Sequence, residues 1–204
     1  METATIDLKR FCATEEHHRF QTQEPFSLGD GWLYATNGRV AVRVPSNDPA
    51  AEGRKLPKSI AEFAQWAAGE SAALPIPDVM TLPFDPCSEC GGKGKTPERR
   101  ECSTCEGEGD VECDMGHYHP CEDCGGKGYC TIKGRVIDCP DCVNGRAIVE
   151  WCGATWGARL FRDIASLPTP VGKVIPRGET SAYLVGRFEA GGQFMLCSRE
   201  KPTA

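Results

Sequence analysis

Aromatic residues are scarce, at 8% of 204 positions, and no apolar run approaches the roughly 20 residues that a membrane span needs. The first residues, Met1-Glu2-Thr3-Ala4-Thr5-Ile6-Asp7, lack the basic and apolar regions of a secretory signal. Neither a Walker-type phosphate loop nor a dinucleotide-binding fingerprint occurs. These absences argue against an exported chain, an integral membrane protein and the common nucleotide-dependent enzymes. Turn-forming residues are plentiful, with 23 glycines and 15 prolines, a composition ill suited to one large core. Thirteen cysteines are the outlying feature. An odd number cannot close a complete set of intrachain disulfides. Cysteines that recur in pairs without a secretory signal more often hold metal. The expected product is a cytoplasmic, metal-binding chain.

Cysteine density divides the sequence into three. Residues 1–86 contain only Cys12, residues 87–146 contain ten cysteines with His117 and His119, and residues 147–204 contain Cys152 and Cys197. The middle segment reads as an insertion into a platform whose two halves are the flanks. The expected class is α+β: a small sheet-and-helix platform formed by both flanks, with an inserted zinc-stapled β-hairpin module.

The flanks carry ordinary secondary-structure patterns. Gly31–Thr36 and Arg39–Val44 flank Asn37-Gly38, the dipeptide favoured in type I′ turns. A two-residue loop there pairs Ala35 with Val40 and Leu33 with Val42. One face is then apolar, and the other presents Trp32, Tyr34, Arg39 and Arg43. That second face is read as a cation–π decoration, with base stacking as the alternative. Ile60, Phe63, Ala64 and Ala67 predict a helix over residues 58–69, and Leu160, Phe161, Ile164 and Leu167 predict another before Pro168. Strands over 181–188 and 193–197 bracket a turn at 189–192. Cys12, Cys152 and Cys197 read as small, buried or half-buried apolar residues. His17 and His18 read as solvated positions.

The middle segment repeats one phrase, C-x-x-C-x-G-x-G. It occurs at Cys87–Gly94, Cys102–Gly109 and Cys121–Gly128, with a degenerate fourth copy, Cys139–Arg146, where Asn144 and Arg146 stand in the glycine places. Two cysteines three apart grip one Zn²⁺ from a tight turn and supply half of a tetrahedral S₄ site. Glycine lets the backbone turn back close to the sulfurs. Four half-sites make two whole sites, and soft thiolates select zinc or iron–sulfur over hard cations. Cys113, His117, His119 and Cys130 have the residue types for a third zinc; alternatively they are ordinary residues of a connecting hairpin, or substitute as ligands in one of the two main sites.

Four such copies resemble the cysteine-rich domain of DnaJ-type co-chaperones. That resemblance implies that the first knuckle shares an ion with the fourth, and the second with the third. Cys87, Cys90, Cys139 and Cys142 would hold one zinc, and Cys102, Cys105, Cys121 and Cys124 the other. No J-domain accompanies the module, since His119-Pro120 precedes Cys121 instead of aspartate. Stimulation of a partner ATPase is therefore not implied. The flanks resemble part of a bacterial DNA-polymerase sliding-clamp module, through Tyr34–Val42, Leu56-Pro57-Lys58-Ser59-Ile60 and Arg187–Met195.

The functional expectation is a non-enzymatic zinc protein that recognises polypeptide. The alternative is a nucleic-acid-binding or replication accessory protein with a clamp-like platform. Charge disfavours the module as a DNA reader, because residues 87–146 hold 8 Lys/Arg against 12 Asp/Glu. Eight thiolates and two zinc ions would make it more negative still, whereas phosphate-binding surfaces are basic. The third segment, with 7 Lys/Arg against 5 Asp/Glu, is the more basic surface. A CxxC redox enzyme is the remaining reading, disfavoured because four equivalent knuckles suit structural metal better than one reactive pair.

Overall fold

Strands dominate a computed structural model of the chain, which describes residues 6–14, 23–50, 73–177 and 181–198. In chain order they are β1 (Phe26–Ser27), β2 (Trp32–Thr36), β3 (Val40–Pro45), β4 (Leu74–Pro75), β5 (Phe84–Pro86), β6 (Lys95–Glu101) and β7 (Asp110–Glu112). There follow β8 (Tyr118–Pro120), β9 (Tyr129–Asp138), β10 (Arg146–Trp151), β11 (Ala154–Gly157), β12 (Val171–Arg177), β13 (Ser181–Arg187) and β14 (Gln193–Cys197). Helix α1, Ala158–Ala165, is the one α-helix among the described residues. The helix expected over 58–69, and His17 and His18, lie outside them. The chain separates into two compact units, Met1–Asp85 with Ala147–Ala204, and Pro86–Arg146.

The first unit is organised by an antiparallel sheet of order β1-β2-β3-β14-β13-β12-β4. Its central strands are apolar at successive positions, not alternate ones, so both faces are covered. Tyr34, Ala41, Tyr183, Val185 and Met195 cluster with Phe26 on one face. Their sequence neighbours Ala35, Val40, Val42, Leu184, Phe194 and Leu196 are at most 1% exposed. α1 buries Phe161 and Ile164 and packs against β14 and β11. A 3₁₀ turn over Leu8–Phe11 buries Leu8 and Phe11 and packs against β2 and β3. β11, β10 and β5 form a smaller sheet. The hairpin β10–β11 turns at Cys152-Gly153, where both residues have positive φ. Cys152 is therefore an exposed turn residue, contrary to the expectation of burial. Cys12 is buried and Cys197 half-buried.

Two other expectations about the first hairpin need correction. The observed pairs are Ala35 with Val42 and Leu33 with Val44, a shift of two residues in pairing partner. The chain turns at Gly38-Arg39, and Asn37 accepts from the Arg39 and Val40 N–H groups through its side-chain oxygen instead of entering the turn. The slip leaves Leu33, Ala35, Val40, Val42 and Val44 on one face, so the apolar face survives it. The opposite face is also largely interior, with Trp32 half-buried and Arg39 exposed in the turn. Tyr34 is 2% and Arg43 6% exposed. The Arg43 guanidinium lies 4.1 Å from the Trp32 ring and donates to Gln193 Oε1, through Nε at 2.7 Å. Tyr34 donates to Asp30 at 2.6 Å. These groups are committed to one another, and base stacking on Tyr34 is excluded.

The second unit consists of two ribbons. β6 pairs with β9, and β7 with β8. The knuckles join them in the order knuckle, β6, knuckle, β7–β8 hairpin, knuckle, β9, knuckle. Few apolar side chains are available here. The buried cluster of the inner end is Cys102, Cys105, Cys121 and Cys124, with Val111 and Cys130 against it. Cysteine sulfurs, not hydrocarbon side chains, make up most of this buried cluster.

Candidate metal centre

Each knuckle reverses the chain with left-handed residues. The first places Gly91, Gly92 and Gly94 at positive φ, the third Gly125, Gly126 and Gly128, and the second Glu106, Gly107 and Gly109. The reversal aims both cysteines of a knuckle inward, and it turns backbone N–H groups onto sulfur. Gly94 N–H donates to Cys90 Sγ at 3.2 Å and Gly109 N–H to Cys105 Sγ at 3.3 Å. Such bonds favour the thiolate, the form that binds metal.

The knuckles then pair, first with fourth and second with third. The N–H of the first cysteine in each donates to a glycine carbonyl of its partner. Cys102 binds Gly128 at 2.9 Å, Cys121 binds Gly109 at 2.7 Å, Cys139 binds Gly94 at 2.9 Å and Cys87 binds Gly145 at 2.8 Å. Gly145 is thus the fourth knuckle's closing glycine, one residue earlier than the repeat demands. Asn144 and Gly145 both have positive φ, and Val143 and Arg146 exchange two backbone bonds across them. That is the Asn-Gly turn favoured in tight hairpins. The fourth copy is shortened rather than degenerate. The closeness of the approach explains why glycine is needed. A Cβ on Gly145 would lie 2.0 Å from Gly92 O, as one on Gly128 would lie 2.2 Å from Gly107 O.

The result is two groups of buried thiols, Cys87, Cys90, Cys139 and Cys142, and Cys102, Cys105, Cys121 and Cys124. Within each group all four sulfurs lie within 4.8 Å of one another. The Sγ–Sγ separations are 3.9 Å for Cys87–Cys139, 3.7 Å for Cys90–Cys142, and 3.8 Å for both Cys102–Cys121 and Cys105–Cys124. Thiolates about 2.3 Å from a central Zn²⁺ form a tetrahedron with edges of about 3.8 Å. A disulfide would need about 2.05 Å. The donor set and its spacing therefore suit a four-coordinate metal ion at each site.

Crowding four thiols sets them against one another electrically. Thr104 and Cys105 N–H groups hold the Cys102 thiol down to about 6. Burial opposes ionisation of Cys90, but the Gly94 N–H and neighbouring thiols outweigh it and bring Cys90 to about 7. Burial and the neighbouring thiols push Cys142 up to about 12. Cys121 also reaches about 12: the Cys124 N–H pulls its thiol down, but burial and the Cys124 and Cys102 thiols prevail. Metal-free sites thus keep some of their protons at neutral pH.

Cys113, His117, His119 and Cys130 do not join into a comparable group among the described residues. Cys113 and His117 close the β7–β8 turn through a backbone bond, Cys113 N–H to His117 O at 2.9 Å. Cys130 packs beside the inner site instead. A third zinc site has no support from this arrangement. Among the described residues no helix is long and apolar enough to cross a membrane. Comparison of the chain with protein-family models, with curated proteins and with solved structures finds no match.

Proposed function

We propose that this chain is a zinc-binding, non-enzymatic interaction protein that recognises polypeptide through its cysteine-rich module. The observation that carries the zinc assignment is the pair of buried four-thiol groups at tetrahedral spacing. When bound, zinc would supply a structural cross-link between knuckles. Four protein ligands leave no open position for substrate or water, which favours a structural role over catalysis. Cross-linking of this kind contributes on the order of 10–16 kcal/mol in small zinc modules. It would therefore replace the core that this unit lacks.

Polypeptide recognition rests on the exposed surface of the ribbons together with the DnaJ-type repeat. β6–β9 and β7–β8 are two-stranded, so their outer edges present backbone groups to an added strand. Exposed apolar side chains accompany them: Tyr118 is 66% and Val136 63% exposed on the strands, and Met115, in the β7–β8 turn, 78%. Exposed apolar groups beside a free strand edge suit an extended chain better than a phosphate backbone.

The test compares two variants. Replacing Cys102 and Cys105 by serine removes half of the inner donor set and is expected to abolish binding of a denatured client. Charge reversal of Arg159, Arg162, Lys173 and Arg177 is expected to leave client binding unchanged. If instead the chain binds single- or double-stranded DNA tightly and salt-sensitively, and only the charge-reversed variant loses it, the nucleic-acid alternative replaces this reading.

A further inference from the structure

The β6–β9 ribbon contains an irregularity that its sequence does not announce. Pairing runs from Glu101–Tyr129 to Arg99–Thr131, breaks, and resumes at Pro97–Val136. Residues 132–135 of β9 therefore face Glu98 alone. Gly134, at φ +79, turns the excursion with nothing within 4 Å of its Cβ position. Bulges of this kind re-aim side chains. Here they gather Arg100, Thr131, Ile132, Lys133 and Arg135 around a cavity of about 410 Å³. Three cations thus line one recess in a module whose side chains are net acidic.

Two of the three cations have no ion-pair partner in the ribbon, and the third has a loose one. Among the described residues neither Arg100 nor Lys133 forms an ion pair. Arg135 approaches Glu98 at 3.7 Å with its side chain 69% exposed, a weak pairing. Half-buried Ile132 adds an apolar wall, and exposed Val136 and Ile137 follow on the same strand.

We propose that this recess binds a short acidic segment of a partner polypeptide, one that carries an aliphatic side chain beside its carboxylates. The proposal rests on the polypeptide-binding reading above and names the partner chemistry. Charge distribution favours a short peptide over a nucleic acid. The ribbon joins a four-thiol group at each end, and each group would carry about two negative charges with Zn²⁺ bound. A continuous polyanion along the ribbon would meet those charges, whereas a short acidic segment fits between them.

The test uses the full zinc-loaded chain and a short fluorescein-labelled peptide of alternating glutamate and leucine, with its glutamine counterpart as control. Fluorescence anisotropy is expected to show tighter binding of the acidic peptide. Lys133→Glu with Arg135→Glu, and separately Arg100→Glu, should weaken it about tenfold or more. Lys127→Glu, outside the recess, should not change it. Zinc content and denatured-client binding are measured on the same samples. Equal binding of both peptides, or unchanged affinity in the variants despite full zinc content, overturns the proposal. So does tighter, equally variant-sensitive binding of a single-stranded oligonucleotide. A chain that holds zinc and binds client but ignores the acidic peptide overturns this inference alone. One that binds neither client nor peptide overturns the polypeptide reading with it.

Discussion

Gly145→Ala is the substitution that discriminates best between a degenerate fourth knuckle and a shortened one. Its φ is +87°, and an added Cβ would sit 2.0 Å from Gly92 O and 2.7 Å from Gly92 C. Both contacts are backbone, so no side chain can swing away. Left-handed strain on a non-glycine residue costs roughly 1–2 kcal/mol. Displacing the Gly145 carbonyl from Cys87 N–H, 2.8 Å away, forfeits about 1 kcal/mol more. With the clash, the loss at the Cys87–Cys142 site is about 3 kcal/mol, or on the order of a hundredfold in zinc affinity. Competition with a chromogenic chelator would resolve this as one weakened site and one unchanged. Gly91→Ala is the control, because its φ is +58° and its Cβ meets nothing within 4 Å. It should cost only the strain, about tenfold. Arg146→Gly restores the repeat's spelling and should tighten nothing, since Gly145 already closes the knuckle. If Gly145→Ala behaves like Gly91→Ala, or Arg146→Gly tightens the site, the assignment of Gly145 fails.

Two further outcomes follow from the site and from the platform. Cys121 and Cys142 are held protonated up to about 12 in the metal-free sites, so zinc addition at neutral pH must displace their protons. Affinity should rise with pH and fall on acidification. A weakly buffered indicator assay that detects no proton release on zinc addition would contradict this. Arg43→Ala should destabilise the platform by about 2 kcal/mol, through the lost Gln193 bonds and the Trp32 stack. Denaturant unfolding reads that value, and DNA affinity should stay as it was; the opposite pattern would restore a nucleic-acid role to that face.

The sequence was most informative where chemistry repeats. C-x-x-C with trailing glycines specifies a metal half-site locally, and the DnaJ-type resemblance implied the two quartets that the fold brings together. Spelling was a poorer guide than geometry at the fourth copy. Counting positions put Asn144 and Arg146 in glycine places, whereas Asn144-Gly145 as a hairpin turn would have identified the closure. The same dipeptide misled in the other direction at Asn37-Gly38, where the Asn37 side chain caps the loop and the turn moves on by one residue. Faces are sturdier than register: a two-residue shift in pairing preserves which side chains share a face. Strand β12 was not anticipated because Gly172 and Pro176 interrupt it. Gly172 is there for space, since a Cβ would lie 2.9 Å from Leu184 Cδ1. Burial of Arg43 depends on Gln193, 150 residues away, and no local pattern reports such a partner. The β9 bulge is equally silent in sequence, because it is a property of pairing and not of one strand.

Metal analysis combined with X-ray absorption reads out whether the eight cysteines form two tetrahedral zinc sites. Protein purified without added zinc should contain about two zinc ions per chain, each with four sulfur neighbours at about 2.3 Å. A metal content near zero with disulfides among Cys87, Cys90, Cys102, Cys105, Cys121, Cys124, Cys139 and Cys142 would rule out both zinc sites, and a first shell containing nitrogen from His117 or His119 would rule out the all-sulfur ligand sets.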